Sequence, residues 1–253
     1  MGRVSLAAGL LLAAGLAGCR GEADVSGDDK PSTPSTSTSP ESAMESSMLS
    51  LPDWDPSDEG KHVRIEPGSY LIPSDAWSVT DFTVDFPEGW TVQYGHVFAR
   101  HGDQANEFGF YGVVVDEIFA DACRGEGGAS AAVAPGVDAL VTALVEQAGG
   151  AVKSKPVSTT LGGYPATRVD LRIPQRLDLK RCQMAEYGFS GLQVWFSGPA
   201  DKYFVLLPGG IARVYVIDVE GERQVFLAQQ NDRESAIDRA ELDAVLDSIR
   251  IEG

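Results

Sequence analysis

From about residue 63 onward, apolar and polar positions recur with periods that predict a sheet carrying two helices. Asp81-Phe82-Thr83-Val84-Asp85-Phe86 puts polar residues at odd positions and apolar ones at even positions, the period-two pattern of a half-buried strand. Pro87-Glu88-Gly89 predicts a turn into a second strand from Trp90 to Tyr94. Phe108 to Val115 is a nearly unbroken apolar run rich in aromatic and β-branched residues, which predicts a central strand. Between Gly136 and Ala148 the period becomes helical. Val137, Leu140, Val141, Leu144, Val145 and Ala148 form one apolar stripe, and Gly149-Gly150 supplies its stop. Lys155 to Thr160 and Tyr164 to Ile173 predict a hairpin around Leu161-Gly162-Gly163, ended by Pro174. Ala212 to Val219 and Gln224 to Ala228 predict another across Glu220-Gly221. Asp232 to Ile249 reads as a terminal helix with a less regular stripe of Ile237, Ala240, Leu242, Val245 and Ile249, followed by the short apolar end Ile249-Arg250-Ile251.

Most connections between these strands are too short for parallel crossovers, so the strands should pair antiparallel. The expected fold is therefore α+β: a central antiparallel β-sheet with flanking helices, an αβα-type sandwich, in a single domain over residues 62–253.

The N-terminal pattern is different. Val4 to Leu16 is an apolar run of about 13 residues, short of the roughly 20 that a spanning helix needs. It ends in Leu16-Ala17-Gly18-Cys19, which reads as a lipobox: residues 1–18 form a lipoprotein signal peptide and Cys19 accepts a diacylglyceryl thioether. Residues 19–61 then form a disordered Ser/Thr/Pro-rich acidic tether, with only Pro, Ser and Thr between Pro31 and Pro40. A flexible chain of about 42 residues spans on the order of 35 Å. Its Ser and Thr residues are also candidate glycosylation acceptors, beside the reading as a plain spacer.

Charge narrows the partners. The 253-residue chain carries a net charge of −17, with a pI of about 4.5, so nucleic acid is not an expected partner and anionic headgroups repel the domain. The membrane contact must come through the lipid on Cys19, whose two acyl chains suffice for stable anchoring. Cys19 aside, Cys123 and Cys182 remain as an even pair. In an oxidising compartment they are expected to form a disulfide closing a loop of about 60 residues, worth about 4 kcal/mol. Two buried free thiols are the alternative.

No motif declares chemistry. Asp53 to Glu59 brushes against a calcium loop but has Asp58 where the sixth-position glycine belongs and Arg64 at the twelfth position. Gly188-Phe189-Ser190-Gly191 lacks the second glycine of a nucleophile elbow at Leu192. His62, His96 and His101 have neither triad nor zinc spacing and suit surface or loop positions. No two carboxylates stand out as a glycosidase pair. Trp54, Trp77, Trp90 and Trp195 suit the core better than a ligand groove. No catalytic residue, cofactor or metal is expected.

A broader pattern runs through Pro67-Gly68-Ser69-Tyr70, Phe82-Thr83-Val84, Pro87-Glu88-Gly89-Trp90 and Ala120-Asp121-Ala122-Cys123. It continues through Val137-Asp138-Ala139-Leu140, Leu161-Gly162-Gly163-Tyr164-Pro165, Val169-Asp170-Leu171 and Cys182 to Arg239-Ala240-Glu241-Leu242 and Ser248-Ile249-Arg250-Ile251. Over residues 63–252 it resembles a family of actinobacterial secreted or lipid-anchored proteins of unknown function. The layout is also similar to PsbP-like domains, including LpqN-type lipoproteins. The first resemblance implies an exported domain with paired cysteines at Cys123 and Cys182. The second implies a sheet flanked by helices with a role in binding or assembly. The expectation is a non-enzymatic binding or interaction domain on the outer face of the cytoplasmic membrane, engaging an unidentified envelope protein or ligand. The rival readings are an envelope hydrolase or transferase with an unrecognised carboxylate site, and a sensory or regulatory lipoprotein.

Overall fold

The computed structural model describes residues 48–53, 55, 60–102, 107–124, 130–177, 182, 191–198, 202–231 and 235–251. The expected signal peptide, Cys19 and most of the expected tether lie outside these residues. In chain order the elements are β1 (Val63–Arg64), β2 (Gly68–Ile72), β3 (Phe82–Phe86), β4 (Trp90–Gln93), β5 (Val97–Arg100), β6 (Phe108–Val113), β7 (Glu117–Phe119) and β8 (Ser130–Ala132). There follow α1 (Val137–Glu146), β9 (Val152–Lys153), β10 (Val157–Leu161), β11 (Tyr164–Arg172), β12 (Leu192–Ser197) and β13 (Lys202–Leu206). The chain ends with β14 (Gly210–Val219), β15 (Glu222–Asn231), α2 (Ala236–Ser248) and β16 (Arg250–Ile251).

These strands build three antiparallel sheets. The largest has nine strands in the order β1-β4-β5-β6-β15-β14-β11-β10, with β9 also on β11; a four-stranded sheet runs β13-β12-β7-β8 and a three-stranded one β16-β3-β2. The hairpin turns follow from local chemistry. Gly162 and Gly163 have φ of 61° and 90°, and Glu220 and Gly221 have 54° and 92°, the paired positive values of tight hairpin turns.

The αβα-type sandwich expected from the sequence is overturned by this architecture, which is β-rich. The two helices among the described residues have 10 and 13 residues, so they are about 15 and 20 Å long. The eight-strand path of the large sheet is roughly 34 Å across at about 4.8 Å per strand. Helices of that size cannot cover both faces, and the smaller sheets do the rest.

On one face, α2 and the three-stranded sheet bury Phe82, Phe86, Trp90, Phe98, Phe110 and Phe226 in an aromatic core. Helix α2 turns Leu242, Val245 and Leu246 inward, while Ile237 is 77% exposed. That explains why its stripe is irregular in sequence. Glu241 fastens the helix to the sheet by accepting from Trp90 Nε1 at 2.8 Å and pairing with Arg100 at 3.2 Å. Ser235 and Asp238 form a reciprocal capping box at its start. Leu49 and Leu51, within the span expected as tether, also pack on this core, and the Leu49 amide donates to Ser69 O at 2.9 Å.

On the opposite face, α1 and the four-stranded sheet bury a mainly aliphatic core with Leu140, Leu144, Leu171, Val214 and Leu227, into which Trp195 inserts. The end of α1 is tied to the four-stranded sheet by Gln147, whose Nε2 donates to Phe119 O at 2.8 Å and Val194 O at 2.6 Å. Its start is held by Arg223, which donates to Ala134 O at 2.6 Å and to Val115 O at 2.7 Å. Cys123 and Cys182 are joined by a disulfide with their Cα atoms 4.4 Å apart.

Candidate functional site

Alternation along the strands decides which side chains reach the second face. Phe98, Phe108, Phe110 and Ala228 point to the aromatic core, so their neighbours Ala99, Gly109, Tyr111, Leu227 and Gln229 point the other way. Register aligns Ala99 with Gly109 and Gly109 with Gln229, so one row across β5, β6 and β15 begins with two residues of almost no bulk. Gly109 is required by the approach of β5: a Cβ there would lie 2.0 Å from Phe98 O. The low row is the floor of a cleft.

Its walls are built by different means. Tyr111 stands on β6 at one side. On the other side rises the turn Leu207-Pro208-Gly209 leading into β14. That turn is clamped to the segment after β11: the Gly209 amide donates to Ile173 O at 3.0 Å and the Ile173 amide to Gly210 O at 2.9 Å. The cleft encloses about 410 Å³. Gln229 and Asn231, two residues apart on β15, and Gln175 from the segment after β11 line it with carboxamide residues, while Leu207, which is 49% exposed, and Pro208 supply an apolar rim. Among the described lining residues Glu107 is the one carboxylate, and no Lys, Arg or His is present. Burial raises the pKa of the Tyr111 phenol above its ordinary value.

Next to Tyr111 lies an aromatic group fixed by a loop. Trp77 stacks on His96 with ring centroids 3.8 Å apart and meets Tyr111 edge-on at 6.4 Å; Tyr94 stacks more distantly on His96 at 6.3 Å. The loop holding Trp77 is anchored by Gln224, whose Oε1 accepts from the Val79 amide at 2.7 Å, and by Asp75, whose Oδ1 accepts from the Trp77 amide at 2.7 Å. Tyr111 is therefore backed by a braced cluster.

The residues singled out in the sequence are dispersed. Cys123 and Cys182 join the loop after β7 to the residues before β12, and neither lines the cleft. His62 Nδ1 lies 3.2 Å from Thr91 Oγ1, His101 lies 3.6 Å from Asp238, and His96 is 9% exposed within its loop. Trp90 and Trp195 are core residues with no exposed surface, whereas Trp77 stands beside the cleft. Trp54 and most of the calcium-like segment lie outside the described residues, as do residues 188–190 of the elbow-like stretch. Among the described residues no cluster of three His, Cys, Asp or Glu could hold a metal ion, and no helix is long and apolar enough to cross a membrane. The cleft residues themselves escaped sequence reasoning. The available signal was Gly109, a glycine inside an aromatic strand, which marks a place of close approach.

No family model matches the chain, and no curated protein matches it. Among solved structures, LpqN, involved in cell envelope biogenesis of Mycobacterium tuberculosis, is similar at 12% identity and a TM-score of 0.36, covering 73% of this chain and 92% of LpqN. A structure from Bacteroides thetaiotaomicron is similar at 10% identity and a TM-score of 0.32, covering 74% of this chain and 50% of that one. Likeness at this level assigns neither fold nor function, and the actinobacterial family is not shown.

Proposed function

We propose that this chain is a lipid-anchored binding protein of the cell surface, whose domain holds a polar ligand in the cleft over β5, β6 and β15 without converting it. The observation that carries the reading is the cleft itself: about 410 Å³, inside the 300–1,000 Å³ typical of small-molecule sites, lined by amides, a phenol and an apolar rim. Glycoside hydrolysis of the ordinary kind needs two carboxylates flanking the scissile bond, and the described lining supplies Glu107 alone.

Export and anchoring are supported by Leu16-Ala17-Gly18-Cys19 and by a disulfide suited to an oxidising compartment. The bilayer is then a partner through the acylated Cys19, and the net charge of −17 disfavours nucleic acid. Palmitate labelling should disappear in Cys19→Ala. The test of function is equilibrium dialysis of the purified protein against a polar envelope extract, with mass spectrometry of both compartments. A compound retained unchanged supports a binding protein. Appearance of a product that depends on the protein overturns it in favour of an enzyme.

A further inference from the structure

We infer that the cleft takes a neutral carbohydrate, with Gln229 and its neighbouring amides reading hydroxyl groups beside the Tyr111 wall. This rests on the binding reading above and adds the class of ligand. A sugar hydroxyl donates one hydrogen bond and accepts others, and a carboxamide does both from adjacent atoms. Gln229 and Asn231 from one side of β15 and Gln175 from the segment after β11 bring three such residues to one space. Sugars also have apolar C–H faces, which suit the ring of Tyr111 and the rim formed by Leu207 and Pro208.

The competing ligand classes fit less well. Phosphates, sulfates and uronates need cations, and the described lining offers none, facing them instead with Glu107 in a protein of net charge −17. An acyl chain would bury the Gln229 amide and return no hydrogen bond. A peptide cannot add as a strand here, because the floor is the side-chain face of a sheet. Its main-chain groups are already committed to the β5–β6 and β6–β15 ladders.

The experiment is a titration of isotope-labelled purified protein followed through side-chain amide resonances. The probes are maltose, cellobiose and N,N′-diacetylchitobiose, with glucose 6-phosphate and a neutral tripeptide as comparators. The expected result is saturable movement of the Gln229 amide with at least one neutral disaccharide and with neither comparator. Gln229→Ala should then weaken that affinity about tenfold, a change of about 1.4 kcal/mol. Tyr111→Phe keeps the ring and should retain most of the affinity, whereas Tyr111→Ala should lose it. Because Gln229 is only half-buried, its variant keeps the test informative even if Tyr111→Ala fails to fold.

Preferential movement with the phosphate or the tripeptide overturns the carbohydrate assignment and leaves the binding reading standing. So does silence towards all three disaccharides while a polar envelope extract still moves Gln229. Silence towards the extract as well overturns both.

Discussion

The two faces of the nine-stranded sheet are covered differently. One is sealed: α2 and the three-stranded sheet close over interlocking rings, with Phe86 and Phe98 centroids 4.8 Å apart, Phe82 and Phe226 5.1 Å, and Phe98 and Phe110 5.4 Å. The other is covered by α1 and the four-stranded sheet over its aliphatic part and carries the cleft, where Tyr111 and Gln229 are half-buried beside the buried Ala99 and Gly109. Neighbouring residues of one strand thus serve opposite ends, Phe110 in the sealed core and Tyr111 on the wall of the cleft. Both faces bury a full core, and the cleft lies on the second.

Substituting those neighbours should give the largest effect. Phe110→Ala should cost about 3–5 kcal/mol in denaturant unfolding, while Tyr111→Phe should change stability little. A cost near zero for Phe110→Ala would contradict its place in the sealed core. Cys123→Ala should cost on the order of 2–5 kcal/mol, since its bond spans a sequence separation of 59. Hydrogen exchange should then rise around β12 more than around α2.

The domain boundary offers a smaller test. A chain starting at residue 62 lacks Leu49 and Leu51, which pack on the aromatic core. It should be less stable by on the order of 2 kcal/mol than one starting at residue 45. Equal stability would show that these leucines add nothing to the sealed face.

Next comes the cap of α2. Ser235→Ala should cost about 1 kcal/mol. Partial burial tends to raise the Asp238 carboxyl, but its hydrogen bonds with Ser235 and the nearby His101 outweigh this and hold it below the usual carboxylate range. A depressed folded pKa contributes stability that is complete above the unfolded value, about 3.9, and that is lost as pH falls through the folded value. The gap between wild type and Ser235→Ala should therefore narrow in acid below about pH 3.9; a gap that widens would contradict this assignment. Smallest of all, Gln229→Ala should alter stability by less than about 0.5 kcal/mol, so any loss of binding would be local.

Much of this was legible where one face of a strand is polar or a turn is explicit. The alternation at 81–86 became β3, and the apolar run at Phe108 became β6, in the interior of the sheet. Gly162-Gly163 and Glu220-Gly221 marked both long hairpins, and the stripe from Val137 became α1. The four-stranded sheet was not legible. In β12 a bulge between Gln193 and Trp195 breaks alternation, and five of its six residues are buried; in β8 all three are exposed. Missing those strands made the second face look as though helices had to cover it. The cleft was invisible for a related reason. Gln229 is far in the chain from Ala99 and Gly109 and meets them only through register. The disulfide partners, by contrast, could be paired by counting.

The most direct measurement is backbone chemical-shift mapping of the purified protein titrated with a polar envelope extract. Saturable shifts are expected to cluster on Ala99, Gly109, Tyr111 and Gln229, with the residues beneath α2 unmoved. Shifts centred on α2 or on the outer strand β10, with the cleft silent, would contradict it.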